Sequence, residues 1–225
     1  GNFEIYVTTD AGTTWSRVQN TNLPAPLSGE YGYAMKETYG DIIWFPTNKG
    51  RIYKSTNKGV SWTVTQSPAS DFGSNNSFAR FTFKDANNGL LIKNNLEFYK
   101  TTNGGTTWTT LTATGKKGAR DICYIPNTDT VISVGTENGI SFTSYSLNNG
   151  NTWTETMSGT QVVGLYFKNS TIGFGGGFST SYSNGGVFKY NSEVLSNAFF
   201  EKELSSKIYR FSREELAIIE KMISE

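Results

Sequence analysis

One octapeptide occurs four times in this chain, and no other feature constrains the fold as much. It reads TTDAGTTW at residues 8–15, STNKGVSW at 55–62, TTNGGTTW at 101–108 and SLNNGNTW at 146–153. The invariant pattern is a hydroxyl residue, then Asp or Asn at the third position, Gly at the fifth, a hydroxyl at the seventh and Trp at the eighth. The closing tryptophans Trp15, Trp62, Trp108 and Trp153 stand 47, 46 and 45 residues apart. Repetition at so even an interval marks one supersecondary unit copied along the chain.

The flanks repeat as well. A short strand precedes each octapeptide: EIYV (4–7), RIYK (51–54), EFYK (97–100) and ISFTSY (140–145). GVFKY (186–190) is a fifth copy of that strand with no octapeptide after it. Upstream lie DIIWF (41–45), GLLI (89–92), TVISVG (130–135) and IGFGG (172–176), and before these YGYAMKE (31–37), FARFTF (78–83), DICYI (121–125) and VVGLYF (162–167). A polar strand follows each Trp. The unit is therefore strand a, strand b, strand c, octapeptide, strand d. Aromatic and β-branched residues suit pleated, half-buried surfaces, and Gly and Asn suit the turns between them. Four short strands per 45-residue period select an all-β fold, a β-propeller of four-stranded antiparallel blades.

Each position of the octapeptide has an architectural task. Asp10, Asn57, Asn103 and Asn148 accept backbone N–H groups inside the c–d turn. Gly12, Gly59, Gly105 and Gly150 supply a positive φ. The indole is expected to bury its apolar surface between sheets while its N–H finds an acceptor. Asn in three of four copies argues against a metal ligand or a general acid.

These octapeptides resemble the Asp-box, or BNR, repeat of β-propellers. That family includes sialidases, xyloglucan-cleaving glycosidases, sortilin-type receptors and photosystem II assembly/stability-factor-like propellers. A box in every consecutive blade is most similar to the assembly-factor-like and secreted bacterial members. The resemblance covers roughly residues 1–191: a partial blade, three full blades and a final partial blade. Two readings of the blade count stay open. The incomplete ends pair to close a small ring, or the chain is an incomplete piece of a larger propeller whose edge another chain covers or completes. Gly1 falls inside a repeat, which inclines the reading to the second.

Strand order places the a–b and c–d turns on one face with the octapeptides, and the d–a and b–c loops on the other. The resemblance implies that this second face binds ligands. Its candidate binding residues are Lys49, Arg51, Lys93, Lys116, Lys117 and Arg120, a modest basic patch from three blades, and Phe178 and Tyr182 in the longest b–c loop. The expectation is a non-enzymatic module that recognises a protein or a glycan, outside the cytoplasm or at the cell surface. The alternative is a sialidase- or xyloglucanase-like glycoside hydrolase, or a fragment of one, with Asp71 and Asp121 as the carboxyls of that face. Asp41, Asp85 and Asp129 recur near a–b turns and read as turn formers.

Composition narrows the chemistry. There is no histidine, so imidazole catalysis and His metal sites are excluded. One cysteine, Cys123, excludes an intrachain disulfide and reads as a small buried hydrophobe. Net charge is +1, so no nucleic-acid partner is expected. No apolar run approaches the about 20 residues of a membrane span. A sialidase needs an arginine triad, but only Arg17, Arg51, Arg80, Arg120, Arg210 and Arg213 are present, and no Arg-Ile-Pro precedes the first box. No cofactor, metal or catalytic constellation is expected. Asn75-Asn76-Ser77 and Asn169-Ser170-Thr171 are glycosylation acceptors only in a secreted eukaryotic chain.

Residues 192–225 form a separate charged tail without glycine. Ser212 to Glu215 reads as a capping box, and Leu216, Ile219, Met222 and Ile223 share a helical face, so a short C-terminal helix is expected. KELSSKIY (202–209) resembles the lead-in to the sorting domain of Bacteroidetes secretion substrates, but Arg210-Phe211-Ser212 replaces the Pro-Asn-Pro expected after it.

Overall fold

The computed structural model describes residues 3–74, 77–178 and 186–190. Tyr182, the expected C-terminal helix and the rest of residues 191–225 lie outside them. The described chain is all-β apart from one 3-10 turn at Asn20–Asn22.

A hairpin comes first: β1 (Tyr6–Val7) and β2 (Ser16–Arg17), joined by the first octapeptide. Three complete antiparallel blades follow. Blade I is β3 (Glu37–Tyr39), β4 (Ile42–Pro46), β5 (Arg51–Ser55) and β6 (Thr63–Gln66). Blade II is β7 (Ala79–Phe83), β8 (Gly89–Lys93), β9 (Phe98–Thr101) and β10 (Thr109–Leu111). Blade III is β11 (Asp121–Tyr124), β12 (Val131–Glu137), β13 (Ile140–Ser146) and β14 (Thr154–Ser158). Blade IV has three strands, β15 (Gly164–Phe167), β16 (Gly173–Gly176) and β17 (Val187–Lys189). Within each sheet the strands pair in chain order, so the four blades form a β-propeller arrangement. The inner strands stand side by side, β3 next to β7, β7 next to β11, and β11 next to β15.

The core lies in the seams between sheets. Val18, Leu23, Tyr53 and Trp62 fill the seam between the hairpin and blade I. Trp44, Phe81, Phe83 and Leu91 fill the next. Leu90, Phe98, Tyr124, Val131 and Trp153 join blades II and III, and Cys123, Ile125, Ile132 and Phe167 join III and IV. A central strand covered on both faces needs no polar side, which is why Gly89–Ile92 and Val131–Gly135 are buried throughout. Each large side chain buried there contributes about 1.5–3 kcal/mol. Trp44, the tryptophan outside the repeat, stacks on Phe83 at 4.1 Å and donates its indole N–H to the Gly104 carbonyl at 3.0 Å.

Candidate functional site

The octapeptides share one bonded geometry. In the second copy the Ser55 hydroxyl donates to Asn57 Oδ1 at 3.0 Å and accepts the Gly59 N–H at 2.8 Å. Asn57 Oδ1 accepts the Ser61 N–H, and the Trp62 indole N–H donates to the Gly59 carbonyl. The same four bonds recur around Thr101, Asn103, Gly105 and Trp108, around Ser146, Asn148, Gly150 and Trp153, and around Thr8, Asp10, Gly12 and Trp15. Asp and Asn interchange because only one extra bond reverses. Asn donates through Nδ2 to the seventh-position hydroxyl, whereas the Thr14 hydroxyl donates to Asp10. The hydrogen bonds from Thr14 and Thr8 hold Asp10 down at about 2.

Three of the four indoles pack on the sheet before their own. Trp62 meets residues of the hairpin, Trp108 meets blade I, and Trp153 meets blade II. Trp15 departs from the expected burial. It is 61% exposed, against 9% for Trp62 and 5% for Trp153. No described sheet precedes the hairpin to cover it.

On the opposite face the candidate cations have different surroundings. The Arg51 guanidinium forks onto the Glu30 carboxylate, whose side chain is fully buried. Glu30 also accepts from the Thr47 hydroxyl and the Leu27 N–H. Burial opposes that charge, but these bonds still bring the Glu30 pKa below its ordinary value. Lys93 pairs with Glu97 at 2.7 Å. Lys116 pairs with Glu155 at 3.0 Å and Glu137 at 3.5 Å, over the Phe142 ring. Lys117 donates to the Ala113 and Gly115 carbonyls. Lys49, Arg120 and Phe178 are exposed. Among the described residues no ion pair engages Lys49 or Arg120.

The inner strands carry a polar ladder. Cross-strand register aligns Glu37 of β3 with Thr82 of β7 and Cys123 of β11. The Thr82 hydroxyl accepts the Tyr124 N–H at 2.9 Å, crossing from blade II to III. Burial, reinforced by the Asp121 charge, pushes Glu37 up to about 8. Burial also raises the Cys123 thiol, with Glu37 and Asp121 adding to it, so Cys123 is a poor nucleophile. Two residues nearer the d–a end stand Arg80 and Asp121, with Arg120 adjoining. Asp121 accepts the Leu165 N–H at 2.7 Å from blade IV and the Ile122 N–H at 2.9 Å. Burial pushes it up to about 6 against the pull of those bonds and both arginines. Arg80 is lowered by burial, opposed by Asp121 and assisted by the like charge of Arg120.

Asp71 accepts from the Tyr33 hydroxyl at 2.7 Å and from the Gly73 and Ser74 N–H groups. The a–b turn aspartates are engaged locally. Asp85 takes two N–H groups of its own turn, Asp129 takes Lys84 at 2.6 Å, and Asp41 faces Lys58 at 3.6 Å. Among the described residues no three His, Cys, Asp or Glu side chains gather as a metal site, and no helix is long and apolar enough to cross a membrane. Glu37 was not singled out in the sequence. Its only signal was position, the same register slot that holds Thr82 and Cys123.

Fold and site together define a β-propeller with tryptophan-closed hairpins on one face and charged loops on the other. The family model described as "Sortilin, neurotensin receptor 3" matches residues 3–134, and the chain belongs to that Sortilin-Vps10 family. No curated protein matches it. Among solved structures it is similar to "YCF48 bound to D1 peptide", at 18% identity and TM-score 0.50, over 78% of this chain and 54% of that one. It is also similar to the GH74 enzyme of Niastella koreensis, at 18% identity and TM-score 0.55, over 84% of this chain and 33% of that one. Those identities show the fold alone. The chain spans about half the length of the first structure and a third of the second.

Proposed function

We propose that this propeller is a non-enzymatic binding module that takes an acidic segment of a partner protein on its d–a/b–c face, outside the cytoplasm or at the cell surface. The observation that carries the reading is the pair Arg80 and Arg120 at the d–a ends of the inner strands. Among the described residues the carboxylate beside them is that of Asp121, which accepts two backbone N–H groups, while Arg80 also donates to the Phe72 and Ala79 carbonyls. Lys49 and Arg120 supply exposed charge for a partner, while Arg51, Lys93 and Lys116 hold loops in place through their own carboxylates. Lys117 and Phe178 complete the proposed surface; Tyr182 lies outside the described residues. The peptide-bound state of the YCF48 structure and the receptor family to which the chain belongs support a protein ligand over a glycan. The octapeptides are, on this reading, Asp-boxes with a purely architectural role.

The test is binding of a fluorescent glutamate-rich peptide at low and moderate salt, with Arg120→Ala and Lys49→Ala variants. A salt-sensitive affinity that falls several-fold in Arg120→Ala is expected. Salt-independent binding that is unchanged in both variants would refute the proposal. Aryl-glycoside turnover abolished by Asp71→Ala or Asp121→Ala would replace it with the hydrolase reading.

A further inference from the structure

We infer that Leu27 and Tyr31 form an apolar shelf on the d–a/b–c face, and that its occupant is a bulky apolar side chain of the acidic partner segment, standing next to that segment's carboxylates. The inference rests on the binding reading given above and adds the apolar half of the ligand.

The shelf is built on a buried ion pair. The connection between the first hairpin and blade I is gathered around the Glu30 carboxylate, whose side chain has no exposed surface. Glu30 accepts the Leu27 N–H at 2.7 Å, the Thr47 hydroxyl at 2.6 Å and the Arg51 Nε–H at 2.9 Å. Arg51 also donates to the Ala25 carbonyl at 3.0 Å and the Tyr53 hydroxyl at 2.8 Å, and that hydroxyl donates to the Pro24 carbonyl. The chain turns through Gly29, at a φ of 65° that favours glycine, and the turn closes with the Glu30 N–H on the Leu27 carbonyl at 3.0 Å. Asn48, in the b–c turn of blade I, clamps the far side. Its Nδ2 donates to the Gly29 carbonyl, its Oδ1 accepts the Tyr31 N–H, and its own N–H donates to the Tyr31 carbonyl.

A segment tied at so many points could fold its large side chains inward. Instead Leu27 and Tyr31, on the two sides of that turn, are 50% and 54% exposed. Burying a carboxylate and a guanidinium is costly unless their pairing is complete. Here that pairing fixes backbone whose apolar side chains stay in water. Such fixing lowers the ordering cost of a later contact, and tyrosine, with few rotamers and an amphipathic ring, is a frequent anchor of contacts. The Tyr31 ring is set edge-on to Tyr33 at 5.4 Å, and the Tyr33 hydroxyl donates to Asp71. Asp71, the carboxylate of this corner, is occupied by that hydroxyl and by the Gly73 and Ser74 N–H groups. Charge complementarity selects the occupant. Lys49 follows Asn48 in the clamping turn and is exposed, with no ion pair among the described residues. An apolar side chain on the shelf therefore brings neighbouring carboxylates toward Lys49, where a purely apolar or basic partner would leave that charge unmatched.

Fluorescence anisotropy on the 225-residue chain tests this with three labelled peptides of equal length. The first alternates glutamate and glycine, the second has one central leucine in place of glycine, and the third is the second with glutamine for every glutamate. The leucine–glutamate peptide is expected to bind at least about fivefold tighter than the glycine one. Leu27→Ser and Tyr31→Ser, both changes of exposed side chains checked for folding by circular dichroism, should each cut that ratio to about twofold or less. Lys49→Ala should weaken the leucine–glutamate peptide several-fold. Equal affinities for the first two peptides, or a ratio that survives both serine substitutions, would overturn the shelf. Salt-sensitive, Arg120-dependent binding of the glycine peptide would in that case leave the acidic-segment reading standing. If none of the three binds, both fall. A glutamine peptide that binds as tightly as its glutamate counterpart would mean a purely apolar occupant and would overturn the proposal. Self-association of the chain in sedimentation velocity, abolished by Tyr31→Ser, would mean that a second copy covers the shelf and would overturn it equally.

Discussion

Replacing Glu37 with Gln should change how stability depends on pH. The carboxyl stands on β3 beside β7 of the next blade, and the equivalent side chains in the next two blades are the neutral Thr82 and Cys123. Its folded-state pKa of about 8 lies above the ordinary 4.5, so the folded chain holds a proton that the unfolded chain has released. The favourable contribution is whole below pH 4.5 and is lost as pH rises toward 8. Each unit of that interval corresponds to about 1.4 kcal/mol, which sets a ceiling of about 5 kcal/mol. The residue keeps some solvent contact, and water relieves part of the penalty. A loss of about 2–4 kcal/mol between pH 5 and 8 is therefore the expectation. Urea unfolding of both proteins at half-unit pH steps measures it. Asp121 titrates in both and largely cancels in the difference. The Gln variant should gain on the wild type steadily from pH 5 to 8. Parallel pH profiles would refute the reasoning, because they would mean that Glu37 is as well solvated folded as unfolded.

Two further perturbations bear on the repeat and its seams. Ser55→Ala removes the acceptor of the buried Gly59 N–H and should cost about 1–3 kcal/mol in urea unfolding, whereas Thr8→Ala, in an exposed turn, should cost well under 1; equal costs would contradict the different packing of the two turns. Trp44→Ala deletes a fully buried ring, its stack on Phe83 and its bond to Gly104, and should cost about 3–5 kcal/mol by the same assay; a loss below 1 would show that this seam is not packed as described.

The blades were legible in the sequence because a recurring octapeptide fixes the phase of every strand around it. Strand order a–b–c–d, the c–d location of the octapeptide and the three-stranded last sheet all follow from that phase. Boundaries were less legible. YGYAMKE reads as one strand, yet its regular ladder begins only at Glu37, because Gly32 and Tyr33 bond to Thr47 and Pro46 at the end of β4 in a register shifted from the Glu37–Trp44 pairing. The exposure of Trp15 was hidden because a local motif reports its own turn but not the neighbour that covers it. The charged loops show the same limit. Arg51 and Lys116 look like free cations in one dimension, and their carboxylates, Glu30 and Glu155, are distant in sequence. Glu37 left no mark beyond its register, since the partners that perturb it belong to the next blade.

The indoles of the second, third and fourth octapeptides each rest on the sheet before their own. Fluorine NMR of the 5-fluorotryptophan protein tests this through Phe98→Leu. Phe98 lies on β9 of blade II, 5.6 Å from the Trp153 ring of blade III. The account expects the Trp153 resonance to move while that of Trp108, in the same sheet as Phe98, stays in place. Movement of Trp108 with Trp153 unaffected would contradict it.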